Sequence, residues 1–167
     1  MRSLRHAWPV ILWAATIWIF STDWFSEAHT SHFIVPFLHW ILPRASEDTI
    51  ELIHLVIRKS AHIAEYFVFS LLALEAIRGD RKGWNWRWGI IAIVIAAAYA
   101  ATDEFHQEFV PSRGPSVIDA MIDTLGAALA QLVMAWWTIR RSRRSAPKPA
   151  RTSARQPAKN RGAGSSP

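Results

Sequence analysis

Lys59, His62, Glu65 and Tyr66 stand three or four residues apart, so a helix carrying them sets 59, 62 and 66 on one face with 65 beside 62. Asp103, Glu104 and Gln107 form a second polar group at the end of an apolar run, with 104 and 107 one turn apart. Asp119 and Asp123 open the last apolar run, and Gly126 and Ala130 continue their face. Arg113 falls in the short segment between these two groups. Such residues suit acid–base chemistry and anion recognition. His62 can exchange a proton near neutral pH, with Glu65 or Glu104 orienting or tuning it. Asp119 offers a nucleophile or a metal ligand, and Lys59 and Arg113 a clamp for phosphate or carboxylate. The candidate catalytic residues are therefore His62, Glu65, Glu104 and Asp119. The candidate substrate-binding residues are Lys59, Tyr66, Asp103, Gln107, Arg113 and Asp123. His62, Glu65, Asp103, Glu104 and Asp119 also offer nitrogen and oxygen donors for zinc, manganese or magnesium, but their spacing matches no defined metal motif, and no metal or cofactor is assigned.

The elements that must position these groups are apolar helices. Half the chain (51%) is apolar, and it holds ten Trp and no Cys. Disulfide frameworks, zinc fingers, iron–sulfur clusters and thiol catalysis are thereby excluded. No glycine-rich phosphate loop is present. Apolar runs cover His6–Thr22, Ala61–Ile77, Trp88–Thr102 and Val117–Ile139, the second continuing a helix begun near Asp48, where Asp48 to Glu51 resembles a capping box. Ionisable side chains within such runs are costly in a bilayer and mark functional candidates.

Charge is segregated. Nine of the 19 Lys and Arg lie beyond residue 139 with no acid among them, which leaves ten basic against 13 acidic residues in the body, a net of −3. If four runs span and both ends are cytoplasmic, 15 basic residues fall inside and only Arg44, Arg58, Lys59 and Arg113 outside. That agrees with the positive-inside rule, and Trp8, Trp84, Trp86, Trp88, Trp136 and Trp137 then form an inner aromatic belt. The expected fold is an all-α integral membrane protein with four transmembrane helices and both termini cytoplasmic. Residues 1–139 form the membrane domain, and 140–167 a disordered basic tail that anchors topology on anionic lipid. A long outer loop, Ser21–Ser60, carries an apolar stretch around Pro36, read as an interfacial or re-entrant segment or as a loop packed over the bundle. Two alternatives stand beside this reading: a cleaved signal peptide ending near Ser26-Glu27-Ala28, and a soluble helical protein, which leaves the charge sidedness unexplained.

Lys59-x-x-His62-x-x-Glu65-Tyr66, then Asp103-Glu104-x-x-Gln107-x-Phe109-Val110-Pro111-x-Arg113, then Asp119 and Gly126 resemble the VanZ family, small bacterial membrane proteins named for an association with teicoplanin resistance. The resemblance runs from about Phe20 to Ala130. It implies Lys59, His62, Glu65, Glu104, Gln107, Arg113 and Asp119 as functional candidates. Asp123 stands where the family commonly has Asn, and Ala130 where it has a second Gly. The implied setting is the bacterial cytoplasmic membrane, multi-pass, with action at its outer face on a cell-envelope lipid or glycan. The expected partners are membrane lipids and a lipid-linked envelope precursor or a glycopeptide, with no specific nucleic acid. The alternative is a non-enzymatic binder or structural protein that shields an envelope precursor. Ser112-Arg113 with Asp119 and Asp123 shares spacing with a motif of membrane phosphatidic-acid phosphatases, but the nucleophilic His of that motif is absent. Polar residues confined to the outer third leave no continuous path for a transporter.

Overall fold

A computed structural model describes residues 4–110, 114 and 116–145. Arg113 and the tail beyond residue 145 lie outside the described residues. Five helices follow one another: α1 (Leu4–Phe20), α2 (Glu27–Ile41), α3 (Glu47–Arg78), α4 (Trp86–Gln107) and α5 (Val117–Ser145), with a single 3₁₀ turn at Asp23–Phe25. Among the described residues there is no strand.

Helices α2, α3 and α4 begin where a side chain satisfies a free N–H group. Ser26 caps α2 and Asn85 caps α4, its side chain accepting from Arg87 N at 2.8 Å. Ser46 caps α3 through Thr49 N, so the helix starts two residues before the box expected at Asp48. Gly79 ends α3 at φ +58°, a conformation that suits glycine.

The stretch expected as a long outer loop is almost entirely helical. It contains the 3₁₀ turn, α2 and the first 14 of the 32 residues of α3. Pro36 sits inside α2 without ending it. The apolar content explains this: a free loop of such composition would leave Leu38 and Ile50 in water, and both are buried.

Three helices, α3, α4 and α5, are long and apolar enough to cross a membrane. At 1.5 Å per residue α3 extends roughly 48 Å, well beyond a hydrocarbon core of about 30 Å. Helix α1, with 17 residues, reaches only about 25 Å. The distribution of polarity supports a lipid setting. Ile11, Leu55, Ile90, Val94 and Leu132 face outward, whereas Ser70, Asp103, Glu104, Gln107, Asp123 and Gln131 are buried. A soluble protein would have the reverse arrangement.

Helix α3 packs against all four others, most extensively against α5. Small residues permit the close approach. Ala92, Ala96 and Ala100 repeat every fourth residue on α4 and are fully buried, as are Ala127 and Ala130 on α5. Ile17, Tyr66 and Phe69 fill the centre against them. Helix α1 is tied in by Trp13 Nε1, which donates to Glu65 O at 2.9 Å, and by Tyr99 Oη, which donates to Ala14 O at 2.6 Å. At its start Arg5 pairs with Asp80 in the α3–α4 loop, and that hydrogen bond holds the Asp80 carboxyl below the usual carboxylate range. At the same end Glu75 pairs with Arg78 at 2.6 Å.

Candidate functional site

The three polar groups of the sequence meet at one end of the bundle, where α3, α4 and α5 converge. Lys59 of α3 forms an ion pair with Asp119 of α5, both partly buried. One turn deeper, His62 Nδ1 lies 3.2 Å from Asp123 Oδ1, at an angle that falls short of a hydrogen bond. Asp123 is completely buried. The two pairs are stacked because 59 and 62 on α3 advance with 119 and 123 on α5 by one turn each.

Helix α4 contributes the acidic wall. Asp103 Oδ2 accepts from Ser21 Oγ at 2.5 Å and from Gln107 Nε2 at 3.0 Å. Glu104 Oε2 accepts the backbone N–H of Ser116 at 2.6 Å, so this carboxylate caps the start of α5, where the helix dipole favours negative charge. Asp103 Oδ1 and Glu104 Oε1 are buried without a hydrogen-bond partner, as are the hydroxyl of Tyr66 and both oxygens of Asp123. Asp103, Asp119, Asp123 and Glu104 lie within electrostatic reach of one another. Unsatisfied buried oxygens are expensive, so the site carries polar capacity that the fold itself does not use.

A half-open cleft of about 190 Å³ reaches this cluster between α1, α2 and α3. Its polar lining is Ser21, Thr30, Arg58, His62 and Glu65, and Phe20, Ile34 and Ile57 supply apolar wall. His62 thus has Asp123 on one side and the cleft on the other.

The structure brings nine of the ten candidate residues to one end of the molecule but divides them. His62 and Glu65 border the cleft; Lys59, Asp119, Asp123, Asp103, Glu104 and Gln107 form the packed cluster behind it. Tyr66 is fully buried in the aromatic core beside Phe69 and Tyr99, closed to a ligand in this conformation. The residue set against His62 is Asp123, rather than Glu104, which is committed to Ser116. Among the described residues no three His, Asp or Glu converge as metal ligands. Ser21, Thr30 and Arg58 are absent from the sequence-derived set. Arg58 adjoins Lys59 and is four residues from His62, a spacing that could have included it. Ser21 carried no signal, because its partner Asp103 is remote in sequence, and Thr30, whose hydroxyl donates to Ser26 O, makes there a local bond that says nothing of the cleft.

An apolar exterior, a buried ionisable cluster and three span-length helices define a multi-pass helical membrane protein. Within that class the chain belongs to the VanZ/LLP1 family, whose model matches residues 7–139, from α1 to the last third of α5. Comparison with curated proteins and with solved structures returned no match.

Proposed function

We propose that this protein acts at the outer face of the bacterial cytoplasmic membrane on the head group of a cell-envelope lipid or glycan. In this reading α1, α3, α4 and α5 span, both ends are cytoplasmic, and α2 lies along the outer surface. The basic residues support that orientation. Arg81, Arg87, Arg140 and Arg141 each lie over a Trp ring, at 4.1–5.3 Å from its centroid, and Lys82 comes beside Arg141 at the end of the bundle opposite the cluster. Interfacial Trp with Arg and Lys is the pattern of a cytoplasmic boundary.

The observation that carries the reading is the His62–Asp123 pair opening onto a cleft. A carboxylate beside one ring nitrogen orients an imidazole, leaving the rest of the ring to exchange a proton with a bound group. Water is kept from the far side by the packed core. Lys59 and Asp119, partly exposed one turn above the pair, hold the α3–α5 spacing on which it depends. A second reading, a non-enzymatic binder that shields an envelope precursor, is favoured by the engagement of Asp119 and Glu104 with Lys59 and Ser116.

Mass spectrometry of envelope lipids and peptidoglycan precursors separates the two. Cells lacking the protein are compared with cells expressing wild type, Glu104→Gln or His62→Ala at matched levels. A covalent product seen with wild type and lost in folded His62→Ala establishes the reaction. Identical profiles in all strains sink it and leave the binder. Teicoplanin susceptibility of the same strains tests the link in the family's name.

A further inference from the structure

The composition of the α1–α2–α3 cleft narrows its ligand. Arg58, His62 and Glu65 follow one another at four- and three-residue spacing along one face of α3, and all three line the cleft. Arg58 and Glu65 are about 10.5 Å apart along the helix axis, so a guanidinium stands toward one end of the cavity and a carboxylate toward the other. Its volume is about 190 Å³. Sites that enclose drug-sized ligands measure about 300–1,000 Å³. A phosphate with a short polar arm fits within this space, whereas a disaccharide or a glycopeptide would have to extend beyond it. Phe20, Ile34 and Ile57 border the same space and suit an acyl chain.

We propose that the cleft seats the head group of a phospholipid whose polar arm carries a hydrogen-bond donor, of the ethanolamine or glycerol type. The phosphate lies at Arg58, which can hold it by a bidentate, charge-assisted pair. The arm turns into the cleft, where its ammonium or hydroxyl donates to Glu65 beside His62. The acyl chains run along Phe20, Ile34 and Ile57. This assignment rests on the outer-leaflet reading above and names the substrate class for it.

Native mass spectrometry of the delipidated full-length protein in detergent tests the assignment. The probes are phosphatidylethanolamine and phosphatidylglycerol, which carry a donor, phosphatidylcholine, which does not, diacylglycerol, which lacks phosphate, and water-soluble glycerophosphoethanolamine. The two donor lipids should bind roughly tenfold more tightly than phosphatidylcholine, the scale of one hydrogen bond to a charged group. Arg58→Gln should weaken all three phospholipids roughly tenfold and leave diacylglycerol unchanged. Glu65→Gln should abolish the preference over phosphatidylcholine. Arg58→Lys keeps the charge and should recover part of the loss, which separates lost recognition from misfolding, as does the Tm of each variant. Equal binding of all four lipids, or a folded Arg58→Gln with wild-type affinity, overturns the proposal. Glycerophosphoethanolamine binding as tightly as the lipid overturns it as well, because the source is then a soluble phosphoester. An envelope profile that depends on His62, together with no head-group preference, removes this assignment and leaves the proposed function standing. Head-group selectivity with an unchanged profile keeps the assignment and removes the reaction.

Discussion

Replacing Gly126 by alanine tests how closely α3 and α5 must approach. A Cβ at that position would stand 2.5 Å from the carbonyl oxygen of Ile63 and 3.0 Å from its Cα, whereas ordinary contact begins at 3.4 Å. The obstacle is backbone, so no rotamer change relieves it. The helices must part by roughly 1 Å or the local backbone must bend, and overpacking of this kind costs about 1–3 kcal/mol. For a chain of this size that corresponds to a fall of roughly 3–10 °C in Tm. The position also couples stability to the site. Ile63 follows His62, and Asp123 lies one turn before Gly126, so the 3.2 Å approach of His62 to Asp123 opens as the helices part. Thermal unfolding of the purified protein in detergent, followed by Trp emission, gives the first readout, and envelope mass spectrometry the second. Gly114→Ala is the control, because nothing lies within 4 Å of a Cβ there. A Gly126→Ala protein with the Tm of wild type would refute the close α3–α5 contact and, with it, the stacking of the two ion pairs.

Lys59→Met strands the partly buried Asp119 and should cost about 1–3 kcal/mol, whereas Lys59→Met with Asp119→Leu should recover most of it; a double variant no more stable than the single one contradicts the pair. Gln131 accepts from Trp84 Nε1 at 3.1 Å and donates to Ser70 O at 3.0 Å and Ser70 Oγ at 2.9 Å, so Gln131→Leu should lose about 1–3 kcal/mol with the envelope profile unchanged, and an altered profile would mean that this network belongs to the site. Because the chain has no cysteine, Gly114→Cys and Lys82→Cys report topology directly. A membrane-impermeant maleimide should label the first in intact cells and the second only after lysis, and the opposite pattern would reverse the proposed orientation.

Local periodicity made much of the fold readable. The apolar runs locate α1, α3, α4 and α5, and helical spacing alone puts Lys59 and His62 on one face and Asp119, Asp123 and Gly126 on another. Helix ends were less accurate. Helix α4 continues past Thr102 to carry Asp103, Glu104 and Gln107, and α5 runs through Arg140 and Arg144, because basic side chains continue a helix as readily as apolar ones. The helical character of α2 was hidden by Pro36, whose breaking tendency is outweighed by burial of Leu38 and the cap at Ser26.

The sequence by itself determined that this chain is helical, that its helices are apolar enough for a bilayer, and that Lys59, His62, Glu65 and the acids of α4 and α5 gather toward one end. These are consequences of composition and of a period of 3.6 residues, which neighbouring residues set without reference to the rest of the chain. Only the tertiary structure decided who faces whom: Asp123 rather than Glu104 against His62, Glu104 on the start of α5, Ser21 on Asp103, and Tyr66 sealed in the core. Such pairings depend on the register between helices. That register follows from how closely their backbones approach, and here it is set by a glycine on α5 lying against the carbonyl of Ile63 on α3.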